Sequence, residues 1–362
     1  MRIAMLAPRP SVRGPLPKHT PLLADGLRRL GCEVVLLPWG RTAEAERLPA
    51  KLLSRARDVL SARRAIVEGR FPVVVVKTAH DWLTLSRDLA LLTALPRDRV
   101  VVLQFHGSQS QLLVGPGSRT FKRATGALLA RADGVLVLSN EERTEWERFR
   151  PSAHVIVVRN PRPPLPKASS AEHSRDTGER VILYVGRLIE DKGVLDLVRA
   201  LDEIRKAVPS RLVLAGDGPE RDRLDELATD LGLRDWVDLP GYLEGTALSA
   251  QFARADVFVL PTSHNEGFPT VILEAMAAQL PIVTTPTRGA VDHLIDGENV
   301  LYAPPRDPSS LAAAVTRMLT DADLATRIAV ANLEKVRDFD ADRVAADYLV
   351  ALEKIVDARD RH

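Results

Sequence analysis

Eight short runs, nearly all apolar and rich in β-branched residues, recur along the chain at 73–76, 100–105, 135–138, 155–158, 181–185, 212–215, 257–260 and 282–284. A strand that is apolar on both faces belongs to a parallel sheet covered by helices on each side. Longer amphipathic stretches, such as 194–208 and 221–231, follow many of these runs. The alternation predicts βαβ units and an α/β fold with doubly wound sheets. No repeat of solenoid period is evident.

A length of 362 residues accommodates two domains. The best linker combines Pro161, Pro163, Pro164 and Pro166 with the polar run ASSAEHSRDTGER. Clustered prolines stiffen a connection, and the polar run has little to bury. The expected division is a first Rossmann-like domain at 1–165, a linker at 166–180, a second such domain at 181–338, and a terminal helix at 339–362. Ligands of open α/β sheets gather at strand carboxyl ends, so a cleft between domains is the expected site. The single cysteine, Cys32, excludes an internal disulfide and a cysteine-based metal cluster. The opening MRIAMLAPRP is too short and proline-broken for a signal peptide, and no run of about 18 apolar residues occurs. A cytoplasmic protein is expected, with attachment to the inner membrane face left open.

Charge divides unevenly. Residues 1–167 hold 28 Lys+Arg and 14 Asp+Glu, a balance of +14, which leaves −12 for the rest of a chain whose total is +2. Such asymmetry points to an anionic partner for one half.

Five segments carry candidate chemistry. In HNEGFPTVILEAMAAQLPIVTT a helix is expected to open near Pro269, where a missing N–H costs nothing. The N–H groups of Thr270 and Val271, with the positive end of the helix dipole, then suit a phosphate. Glu266 and Glu274 are eight residues apart, about 12 Å if the stretch is all helical. That exceeds the ~5–9.5 Å of a paired glycosidic acid and base, so two separate binding tasks fit better. On spacing alone, the favoured reading is an acidic loop and an exposed helix glutamate. In YVGRLIEDKGVLDLVRA, Arg187 and Lys192 follow Gly186 in a strand–turn–helix connection and suit a diphosphate, although such residues are common in surface loops. The Gly216-Asp217-Gly218 turn is accounted for by turn chemistry alone. His106 ends the strand of VVLQFHG, a setting suited to a ligand or to a plain loop hydrogen bond; His80 has a weaker version of it. The connection at 7–22 is long, with Gly14 able to bring backbone close to a ligand.

Taken together, these segments resemble the retaining glycosyltransferases of family four, which have the two-domain GT-B fold. Glu266 and Glu274, within EGFPTVILEAMA, match the family's E-x7-E motif. GRLIEDKG matches its G-R-x4-K-G segment. The GDGP turn, Gly241–Leu243 and the His-Gly at His106 are similar as well. The resemblance is strong over 180–300 and weaker over 1–160. It departs at the first loop, where paired glycines become Gly14 before Pro15, weakening the phosphate contact expected there. The stretch 341–356 looks like the family's last helix, entered at Phe339 and crossing back to the first domain.

The resemblance implies a donor that is a nucleotide-diphosphate sugar and no cofactor or metal, in keeping with the lack of an Asp-x-Asp motif in a plausible loop. Arg187 and Lys192 would neutralise the departing diphosphate, Glu274 would bind the ribose, and Glu266 would hold the donor sugar. His106 would contact the sugar hydroxyls. Gly14 and Thr270 would approach phosphate through their backbone, with Gly186, Gly216, Phe268, Pro269 and Val271 shaping the same site. Front-face attack with retention is the expected mechanism. The alternatives are a non-catalytic sugar-nucleotide binder or another GT-B enzyme such as a nucleotide-sugar epimerase.

The first domain would meet a glycan or lipid-linked acceptor, and it is the basic one. Over 46–70, Leu48, Leu52, Ala56, Val59/Leu60, Arg63 and Val67 form a helical stripe beside Arg47, Lys51 and Arg55. Such a helix suits an anionic membrane surface, and equally a core-facing helix with a solvated basic face. Nucleic acid is not an expected partner: no helix-turn-helix, zinc knuckle or aromatic interleaving accompanies the charge, and aromatics make up 4%.

Overall fold

The computed structural model describes residues 1–10, 12, 14, 16–40, 48–115, 118–162, 178–264 and 267–361, with 48–53 as backbone only. The chain forms two units, Met1–Pro163 with Asp338–His362, and Pro164–Arg337.

In the first unit the chain runs β1 (Arg2–Ala7), α1 (Leu16–Arg29), β2 (Glu33–Pro38), α2 (Leu48–Glu68), β3 (Val73–Thr78), α3 (Trp82–Ala94), β4 (Val100–Phe105), α4 (Gln111–Val114), α5 (Arg119–Leu129), β5 (Gly134–Val137), α6 (Asn140–Phe149) and β6 (Val155–Val157). All pairings are parallel, in the order β2-β1-β3-β4-β5-β6. Every residue of β3 and β4 is buried. Their side chains alternate between two cores: Val74, Val76, Val101 and Leu103 enter one, and Val73, Val75, Val100 and Val102 the other. This period of two explains why the sequence shows unbroken apolar runs there instead of alternation.

The second unit contains β7 (Arg180–Val185), α7 (Val194–Ala207), β8 (Ser210–Ala215), α8 (Arg221–Asp230), β9 (Val237–Gly241), α9 (Gly245–Arg254), β10 (Val257–Leu260), α10 (Thr270–Ala277), β11 (Ile282–Thr284), α11 (Arg288–Val291), β12 (Leu301–Tyr302), α12 (Pro308–Thr320) and α13 (Ala322–Lys335). Its parallel sheet has the order β12-β11-β10-β7-β8-β9. The first strand lies centrally, and the connections depart to opposite sides of the β7/β10 pair. The last helix, α14 (Ala341–Asp360), belongs to the first unit, where Val344, Tyr348, Leu352 and Ile355 join the core lined by α1. Gly26 permits that packing: a Cβ there would stand 2.6 Å from the Ala345 Cβ.

Three local expectations change. The first connection is shorter than 7–22, because α1 begins at Leu16 and incorporates Pro17 and Pro21. Pro17 falls in the first turn, where no intrahelical N–H bond is lost, and Pro21 forgoes one. Second, α10 opens at Thr270 with Pro269 as its N-cap, so the stretch from Glu266 to Glu274 is not all helical. Third, the buried stripe of α2 is Asp58, Ala62 and Ile66, while Ala56, Leu60 and Arg63 are exposed. Asp58 sets this rotation: its carboxylate accepts from Arg9 at 3.1 Å and from the Gly40 N–H at 3.2 Å, which draws the polar residue inward. Arg47, most of the linker and the side chains of Leu48, Lys51 and Leu52 lie outside the described residues.

Candidate active site

The second unit gathers its motif residues at the carboxyl ends of β7, β8, β10 and β11, the side of an open sheet where ligands bind at the topological switch. Gly186 and Arg187 leave β7 and enter a 3-10 turn, Glu190–Lys192. Gly193 follows with φ 69° and leads into α7. Its left-handed backbone also permits close approach, since a Cβ there would stand 2.1 Å from the Pro261 carbonyl oxygen. The β7 connection thus lies directly on the one leaving β10. Asp191 O accepts from the Ser263 N–H at 2.8 Å and from Thr262 Oγ1 at 3.2 Å. On its other flank, a Cβ on Gly216 would meet the Gly186 oxygen at 1.8 Å, and the Leu188 N–H donates to Asp217 O at 2.9 Å. Tyr184 OH holds the Arg187 carbonyl at 2.8 Å. The two glycine-bearing turns therefore clamp the Arg187 segment between neighbouring strand ends.

Cations converge here against the negative balance of the unit. Arg187 is exposed, whereas Lys192 is 8% and Arg288 4% accessible. Burial, reinforced by Arg187, lowers the Lys192 ammonium to about 8. His264, beside the end of β10, is pushed below the ordinary histidine value by burial first, then by Lys192, with Arg187 and Arg288 adding to it and Asp191 opposing. Three cations thus act on one point, and a bound anion relieves their mutual repulsion.

Helix α10 starts beside this point. Its N-cap Pro269 offers no side-chain bond, and the opening N–H groups of an α-helix have no intrahelical acceptor. Glu274 is the helix's one carboxylate and is half-buried between fully buried apolar neighbours. Phe268 is packed into the unit, with its ring 5.1 Å from His293. Gly289 makes room for this segment, since a Cβ there would stand 2.0 Å from the Gly267 oxygen. Glu266 lies outside the described residues. Among the described residues no group of three His, Cys, Asp or Glu side chains has metal-binding geometry.

Gly14 and His106 belong to the first unit. Gly14 has φ 136° and, among the described residues, no atom within 4 Å of a Cβ position, so it presents open backbone. His106 follows β4; its ring is half-buried, and its Nε2 is buried without a hydrogen-bond partner among the described residues. His80 is a core residue: it bonds Thr125 Oγ1 at 3.1 Å within a cluster formed by Phe105, Phe121 and Trp146. Sequence reasoning did not single out Arg288, His264, His19 or Lys77. The signal for Arg288 was its place just after the strand 282–284, in TTPTRGAV.

The model of the glycosyl transferases group 1 matches residues 167–334, and that of glycosyltransferase family 4 matches 18–163. Glycogen synthase of Mycobacterium tuberculosis is 36% identical over 277 residues, 74% of this chain and 66% of that protein. A GDP-mannose-dependent alpha-(1-6)-phosphatidylinositol monomannoside mannosyltransferase of Mycolicibacterium smegmatis is 31% identical over 268 residues, 69% of each chain. Matches thus span about two thirds of the length of these relatives. Among solved structures, sucrose-phosphate synthase of Thermosynechococcus elongatus aligns with a TM-score of 0.80 at 22% identity over 99% of both chains. Anabaena HepE in complex with UDP aligns at 0.73 and 19%, over 98% of this chain and 100% of that one. Both share the fold of two parallel-sheet Rossmann-like domains.

Proposed function

The chain belongs to the group 1 glycosyltransferases, and from that footing we propose that it moves a sugar from a nucleotide-diphosphate sugar to a hydroxyl acceptor, with retention of anomeric configuration and without a resident metal. The observation that carries this reading is the convergence of Arg187, Lys192 and Arg288 beside the opening turn of α10. Breaking the bond between the sugar and its phosphate leaves positive charge on the sugar and negative charge on the diphosphate. Fixed cations and helix N–H groups stabilise that negative charge as it grows. In the proposed step the acceptor oxygen attacks the anomeric carbon on the face the diphosphate leaves. The carbon–oxygen bond to phosphate breaks, and the acceptor's proton passes to the departing phosphate oxygen. Glu274 holds the ribose, Glu266 and His106 hold the sugar, and Gly14, Thr270 and Val271 offer backbone to phosphate.

The names of relatives support a nucleotide-sugar donor: one is GDP-mannose-dependent, and structures of HepE contain UDP or UDP-glucose. The mannosyltransferase and a lipopolysaccharide core glycosyltransferase of Rhizobium meliloti also favour a glycan or lipid-linked acceptor. A thermal-shift screen against UDP-, GDP- and ADP-sugars tests donor binding. At 100 times its dissociation constant, the true donor adds about 2.7 kcal/mol of stability. Arg187→Ala and Lys192→Ala each reduce turnover by about 10²–10³-fold if each acts as one oxyanion donor. Full turnover in both variants would refute the assignment.

A further inference from the structure

Beneath the carboxyl ends of β3 and β4, on the face covered by α1 and α14, polar side chains share a buried space. His19 and Thr20 come from α1, Lys77 from β3, Gln104 from β4 and Tyr348 from α14, and all are buried. Strand pairing sets Lys77 opposite Gln104, and the alternation of a strand brings His106 to the same face two residues on. Lys77 Nζ donates to Gln104 Oε1 at 2.9 Å, and Tyr348 OH donates to the same oxygen at 2.9 Å. The Tyr348 ring centroid stands 6.0 Å from Nζ. His106 Nε2, His19 Nδ1, Gln104 Nε2 and Thr20 Oγ1 are buried and make no hydrogen bond among the described residues.

Among the described residues, the groups facing Lys77 supply no counter-charge. From α1 come His19 and, nearby, Lys18; from the segment after β4 comes His106; from α14 comes Tyr348; β1 contributes apolar Met5. On α14, Asp342 and Asp347 bind Arg29 and Arg159 instead. Three bases without a carboxylate cannot all be protonated in a low-dielectric space, so the first proton opposes the next. Lys77 has an acceptor for its proton in Gln104 Oε1, whereas the buried histidine nitrogens have none.

We propose that Lys77 is a positioning residue for the transfer reaction: held by Gln104 and Tyr348, it takes the first proton of this cluster and so keeps His106 a neutral imidazole. The role in transfer rests on the reading that His106 meets the donor sugar. A cationic ring there would repel the positive charge that develops on the sugar. A proton on Nε2 would be buried without an acceptor, so the neutral ring carries its hydrogen on Nδ1. The electrostatics agree. Burial lowers Lys77 to about 7. Burial first, then Lys77, then His19, holds His106 well below its ordinary value, and burial with Lys77 and Lys18 lowers His19 to about 3. As pH falls, Lys77 therefore protonates first.

The test is an NMR titration of ¹⁵N-histidine-labelled full chain, with the His106 signal assigned by its loss in His106→Ala. In the unsubstituted protein His106 stays neutral as the pH falls from 8 through the ordinary histidine midpoint. In Lys77→Met its midpoint rises by about one pH unit, and Lys77→Arg restores neutrality. A His106 that protonates above pH 6 in the unsubstituted protein overturns the proposal even if Lys77→Met fails to fold. So does an unchanged midpoint in folded Lys77→Met. The underlying reading fails separately: full UDP-glucose turnover by His106→Ala, where the unsubstituted protein turns this donor over, removes the role in transfer but not the order of protonation.

Discussion

Lys192 combines burial with a job that requires charge, and this gives it a pH signature. Its ammonium, lowered to about 8 in the free protein, must be charged to hold a diphosphate. A bound anion raises its pKa again, so binding above pH 8 requires uptake of a proton. The affinity for UDP, or for the nucleoside diphosphate that binds best, is therefore flat between about pH 6.5 and 8 and falls by about tenfold per unit above that. Titration calorimetry measures it, and Lys192→Arg removes the slope because arginine stays charged. A flat profile in the unsubstituted protein would contradict the assignment. The spacing of Arg187 and Lys192 was legible in GRLIEDKG. The burial of Lys192 was not, because the residues packed around it include the β10 connection some seventy positions later. Arg288 escaped notice for the same reason: only strand order places the end of β11 near the end of β7.

At the scale of elements, the strands were the most legible part, since the eight apolar runs match eight of the twelve strands among the described residues. Helix orientation was harder to read. The stripe assigned to the basic helix followed its aliphatic residues, whereas α2 turns Asp58, Ala62 and Ile66 inward because Arg9 and Gly40 await the carboxylate. Two polar partners distant in sequence bring a carboxylate onto the inward face. The clamp on the β7 connection yields a sharper expectation. Gly193→Ala forces a side chain into φ 69° and to within 2.1 Å of the Pro261 oxygen. Backbone strain alone costs about 1–3 kcal/mol, and the collision adds to it. Urea denaturation should show a lower midpoint for this variant, and an unshifted midpoint would mean that the clamp is not built as described.

For the molecule as a whole, fold changes the charge ledger. The helix α14 carries acids into the first unit, whose balance becomes +10, from 31 Lys+Arg and 21 Asp+Glu over 1–163 and 338–362, leaving −8 for the second. The basic character of the first unit is weaker than the linear split implies but keeps its sign. Among the described residues no helix is long and apolar enough to cross a membrane, and a basic unit is attracted to an anionic lipid surface through its charge. Flotation with liposomes containing anionic lipid should carry the protein upward at low salt and lose it at high salt. Equal flotation with neutral liposomes, or none with either, would remove the membrane from this account. The central claim is the chemistry of transfer, and it is tested most directly by ¹H NMR of the first product formed from an α-linked nucleotide sugar in the presence of a metal chelator. The account predicts consumption of one of the UDP-, GDP- or ADP-sugars and an anomeric proton whose one-bond coupling to its carbon is that of the α configuration. A β product, or turnover abolished by the chelator, would contradict it.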